Sequence, residues 1–184
     1  QYSLWLVLPA LGSWMLLAVT NHLTQDVASV PFLWVLPLVV YLFSFVLTFE
    51  NDRWYRRAVY LPAAAVLLVL AAYGLQSDLG RRLQTALPIY VGGLFVWCVV
   101  LHGEMARRRP AARHLTRFYL MLSLGGAMGG IAVGLLAPMV LNAYYELGIG
   151  LTLLALVGLV LWRKHALGIS VCGLLVVCCA VFLG

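Results

Sequence analysis

Long apolar runs bounded by charge dominate this chain and leave it few possible folds. A helix crossing about 30 Å of hydrocarbon needs roughly 20 apolar residues at 1.5 Å rise each. Runs of about that length lie at 2–20, 31–49, 58–76, 86–103, 115–141, 146–162 and 166–183. Strands are excluded because the runs show no alternation of period two, and lipid leaves no backbone group without a hydrogen-bond partner. The expected fold class is therefore all-α: a polytopic integral membrane protein of about seven transmembrane helices, forming a single domain over 1–184. Only 10% of residues are charged and mean hydropathy is +1.01, against about 25% charged in water-soluble domains. A cytosolic enzyme is excluded.

Basic residues give the orientation. Alternate connectors hold Arg53, Arg56 and Arg57, then Arg107, Arg108, Arg109, Arg113 and Arg117, then Arg163 and Lys164, ten in all, whereas the intervening connectors hold only Arg81 and Arg82. The richer set belongs in the cytoplasm, which puts the amino end inside and the carboxyl end outside. Trp5, Trp34, Trp54, Trp162, Tyr144 and Tyr145 lie near run ends, where amphipathic rings suit headgroup depth. The net charge of +6 needs no nucleic acid to explain it. Cys98, Cys172, Cys178 and Cys179 sit inside apolar runs without CxxC spacing and read as small buried hydrophobes. The first run opens at Tyr2 without a basic flank and the last stops at Gly184, so the chain is expected to be a piece of a longer polypeptide.

Three clusters stand out from the apolar background. In the fifth run Gly126, Gly130 and Gly134 recur every fourth residue, beside Gly125 and Gly129, and form a ridge suited to close packing on a neighbouring helix, in this chain or in a partner. These glycines follow no strand, so they cannot form a nucleotide-binding loop. The first outer connector carries His22, Gln25 and Asp26. If the helix continues one more turn, His22 and Asp26 share a face and form an outer polar site for a cation or a proton; the plainer reading is an interfacial cap before Pro31. At the inner end of the fourth run, Glu104 can pair with Arg107 or Arg108, while Arg107, Arg108 and Arg109 reach lipid headgroups. The alternative makes His102 and Glu104 an inner polar site, a gate with His114 across the loop.

No metal or cofactor is expected. His22 and His102 approach opposite faces and cannot ligate one haem iron; His102 with His114 or His165 leaves a haem or pigment contact open on the inner side, but a histidine near the interface is more often merely solvated. Glu146 opens the sixth helix, where the helix dipole favours a carboxylate. Pro37, Pro62, Pro88 and Pro138 fall inside or beside runs, as in many membrane helices.

With these residues in view, the chain resembles the membrane portion of a bacterial family of fused major facilitator/spermidine synthase proteins. The resemblance rests on the stretches Leu17 to Ala28, Pro31 to Leu38, His102 to Arg107, and Leu115 to Leu120 running into Ser123 and Gly125 to Gly130, and covers most of 10–150. It implies further helices before this region and a soluble aminopropyltransferase-like domain after it. No donor-binding loop lies in the segment itself, so enzymatic activity is not expected here. Gly103 to Leu115 also resembles the facilitator loop signature, departing from it at Arg107 and Pro110. The expectation is a non-enzymatic, multi-pass module of a bacterial inner membrane, transporter-like or ligand-sensing, with the lipid bilayer and the rest of its own chain or other membrane subunits as partners. Two alternatives stay open: a structural or assembly subunit of a larger respiratory or photosynthetic complex, and a membrane anchor for a spermidine synthase-like domain.

Overall fold

The computed structural model describes residues 2–27, 32–51, 53–77, 82–141 and 145–162. All regular structure among them is helical. Helix α1 (Tyr2–Asn21) continues as a π-helical segment (His22–Val27), and α2 spans Val35–Glu50, α3 Arg57–Gln76 and α4 Leu83–Arg107. Helix α5 (Leu115–Ile131) passes through a second π-helical segment (Ala132–Leu136) into the short α6 (Ala137–Val140), and α7 spans Glu146–Trp162. Four helical stretches are apolar and long enough to cross a membrane: Tyr2–Gln25, Arg57–Gln76, Leu83–Arg107 and Ala112–Val140. Val35–Glu50 and Glu146–Leu161 are apolar but shorter. The seventh expected run, 166–183, lies outside the described residues, as do Arg163 and Lys164.

Helix α4 is the centre, packed by α1, α2 and α3, while α1 also packs on α5 and α7. Side-chain pairs give the directions. Ala64 and Ala71 of α3 meet Trp97 and Tyr90 of α4, so those two helices are antiparallel, as are α1 and α4 through Gly12 with His102 and His22 with Tyr90. Leu6 and Ala10 of α1 meet Gly125 and Gly129 of α5, so that pair is parallel. Phe43 and Ser44 meet Phe95 and His102, which makes α2 parallel to α4. The helices thus alternate in direction along the chain. One consequence is that Tyr55, Arg57, Glu104, Arg108 and Leu161 gather at one end, with His22, Tyr90 and Ala71 toward the other.

The closest helix pairing corrects the expected glycine ridge. A Cβ added at Gly125 would overlap the Leu6 carbonyl, and one at Gly129 would overlap the Ala10 backbone. At Gly130 and Gly134 it would meet nothing within 4 Å, and at Gly126 it would only approach Ser13 Oγ at 3.3 Å. The intramolecular contact is therefore made by the row one residue earlier, because a step of one residue turns a helix face by about 100°. Outward-facing α2, α3, α5 and the π-helical segment after α5 carry large apolar side chains, among them Leu42, Val46, Val66, Leu120 and Leu135, all more than half exposed. Such a surface is suited to lipid and not to water.

Candidate functional site

The sequence Leu101-His102-Gly103-Glu104 places two ionisable side chains two residues apart on α4, roughly 200° around a helix. They form two separate sites, where one inner polar site was expected. Both side chains are fully buried, yet His102 faces α1 and α2 whereas Glu104 faces the α2–α3 connector.

Glu104 is held from three directions. Arg57, at the start of α3, donates to both carboxylate oxygens, Nε to Oε1 at 2.5 Å and Nη2 to Oε2 at 2.6 Å. Tyr55 Oη donates to Oε1 at 2.8 Å. Arg108, one turn along α4, donates from Nη1 to Oε2 and also to the Glu104 carbonyl oxygen at 2.9 Å. A buried carboxylate is tolerated only with this kind of compensation. Gly103 makes the arrangement possible, since the Tyr55 ring lies directly on its Cα and any Cβ there would enter the ring. Burial first, and then the negative charge of Glu104, push the Tyr55 phenol far above its ordinary value, so it remains a hydrogen-bond donor.

This network revises the run of headgroup arginines. Arg108 is committed to Glu104 and its side chain is mostly covered, whereas Arg107 and Arg109 are exposed. Arg109 also sits over the Phe49 ring, 5.6 Å from its centroid. Neither Tyr55 nor Arg57 was among the expected site residues. Arg57 was counted only as a topology signal, and nothing local in the sequence pairs either residue with Glu104.

His102 lies edge-on to Tyr41 and Phe45, with ring centroids 4.9 and 5.2 Å away. Its Nδ1 is 3.0 Å from Ser44 Oγ, and Ser44 Oγ donates to the Tyr41 carbonyl at 2.7 Å. Cys98, one turn back on α4, is buried beside Ser44.

The outer cluster falls only partly within the described side chains. His22 opens the π-helical segment, half-buried and edge-on to Tyr90 at 4.5 Å, while Gln25 is exposed. The Asp26 side chain lies outside the described residues. Among the described residues no group of three or more His, Cys, Asp or Glu side chains could hold a metal ion.

No family model matches this chain, nor does any curated protein or solved structure.

Proposed function

We propose that the chain is a non-enzymatic, transporter-like or ligand-sensing module of a bacterial inner membrane, with seven spans and its amino end inside, and that Glu104 latches its inner face. The supporting observation is the fully buried Glu104 carboxylate bridging the α2–α3 connector, through Tyr55 and Arg57, to the end of α4, through Arg108. A membrane protein can close its end with apolar side chains at similar or better stability, because a buried ion pair roughly breaks even against its desolvation. An ion pair differs in being exchangeable. Arg57 is already 41% exposed, so a small movement of the connector returns it to water and headgroups, with little change in its own solvation.

The test uses the buried thiol of Cys98 beside Ser44. With Cys172, Cys178 and Cys179 replaced by Ser, an impermeant thiol reagent applied to the inner face should label Cys98 slowly in the otherwise unchanged chain and faster after Glu104→Gln. Equal rates in two folded proteins would remove the latch.

A second reading draws on an open apolar cleft of about 340 Å³ between α1, α5 and α7, lined by Leu6, Trp14, Met128, Leu153 and Leu156. It supports an assembly subunit whose neighbour's helix fills the cleft. Stoichiometric co-purification of a second membrane polypeptide would favour this role over the first.

A further inference from the structure

Ser44 has one hydroxyl hydrogen, and its 2.7 Å bond to the Tyr41 carbonyl uses it. With that hydrogen on the carbonyl, the imidazole is the donor of the 3.0 Å contact between His102 Nδ1 and Ser44 Oγ. In that arrangement Nδ1 carries the proton and Nε2 presents a bare lone pair. Among the described residues Nε2 has no hydrogen-bond partner, although the side chain is fully buried. An acceptor left dry in such a place is costly and uncommon.

Nε2 looks toward Gly12 of α1. A Cβ built on Gly12 would stand 3.6 Å from Nε2, 3.5 Å from Tyr41 Cε2 and 3.9 Å from Tyr41 Oη. The missing side chain therefore leaves a methyl-sized gap beside the Nε2 nitrogen and a phenolic hydroxyl. Buried waters occupy polar gaps of this kind, where two to four groups can bond them.

We propose that His102 Nε2, Tyr41 Oη and the space at Gly12 form a site for one hydrogen-bond-donating molecule of water size, a trapped water, held between α1, α2 and α4. The water donates to Nε2 and bonds the Tyr41 hydroxyl, joining three helices at one point inside the bundle. This site is separate from the Glu104 latch and does not depend on it.

The experiment is nitrogen-15 NMR of the full chain, labelled at histidine and held in lipid nanodiscs, with His102→Gln identifying the His102 signals. The expected spectrum shows a protonated Nδ1, a bare Nε2, and magnetisation transfer from water to the Nε2 side of the ring. In Gly12→Ala the added methyl makes only ordinary contacts, so Nδ1 should keep its proton while the water transfer is lost. Tyr41→Phe, which adds no volume, should weaken the transfer and shift the Nε2 signal, and it serves if Gly12→Ala fails to fold. A proton on Nε2, no water transfer in the unaltered chain, or transfer unchanged in either folded variant would overturn the site.

Discussion

Tyr55 and Glu104 show what a single residue can demand of its surroundings. The carboxylate has no exposed surface, and three side chains from two parts of the chain supply the donors that water would otherwise supply. The Tyr55 phenol, raised by burial and by Glu104, stays protonated in the folded protein at pH values where an unfolded phenol ionises. Its contribution to stability is therefore present in full below about pH 10 and is lost as pH climbs through the higher folded value. In an alkaline titration followed by phenolate absorbance, Tyr55→Phe should leave the amplitude of the ordinary tyrosine transition unchanged. A drop by one tyrosine would mean that Tyr55 ionises like an exposed phenol. The polar character of His102 and Glu104 was legible in the sequence, since ionisable groups are scarce there. Their separation into two sites was not, because which face of α4 meets which neighbour depends on how the helices pack.

Helix α5 makes the same point at the scale of an element. A row of glycines at spacing four announces close approach, but two interleaved rows exist between Gly125 and Gly134, and the sequence does not say which one touches. Packing against Leu6 and Ala10 selects Gly125 and Gly129. Gly129→Ala should accordingly destabilise the protein by about 1–3 kcal/mol through overpacking against backbone that cannot yield. Gly130→Ala, with open space around it, should be neutral or slightly stabilising, because alanine is the better helix former. Thermal unfolding of the two variants in one detergent checks the contrast, and equal losses would show that the packing row is misassigned. The π-helical segments at His22–Val27 and Ala132–Leu136 add a second source of error. Hydrogen bonds from i to i+5 shift the face of every later residue, and helical periodicity in the sequence does not announce them.

Over the whole molecule, the alternating helix directions bring the described basic connectors to one end, where Arg57 and Arg108 meet on Glu104. If that end faces the cytoplasm, single cysteines at Arg56 and Arg109 should both react with an impermeant reagent in inverted vesicles, and one at Gln76 should react only in right-side-out ones. Reaction of the first two from opposite sides would break both the threading and the latch. Apolar run length and the uneven spread of arginine were enough, by themselves, to indicate helices, a membrane setting and the expected inner end, since each follows from the cost of putting a backbone group or a charge into hydrocarbon. Only the tertiary structure decided that Tyr55 and Arg57 share Glu104, that Gly125 and Gly129 carry the helix contact, and that His102 turns toward Gly12. The physical reason is angular: hydrophobicity along a chain is felt residue by residue, whereas a partner is chosen by the direction a side chain leaves its helix, and nearly uniform apolar faces leave that direction unmarked.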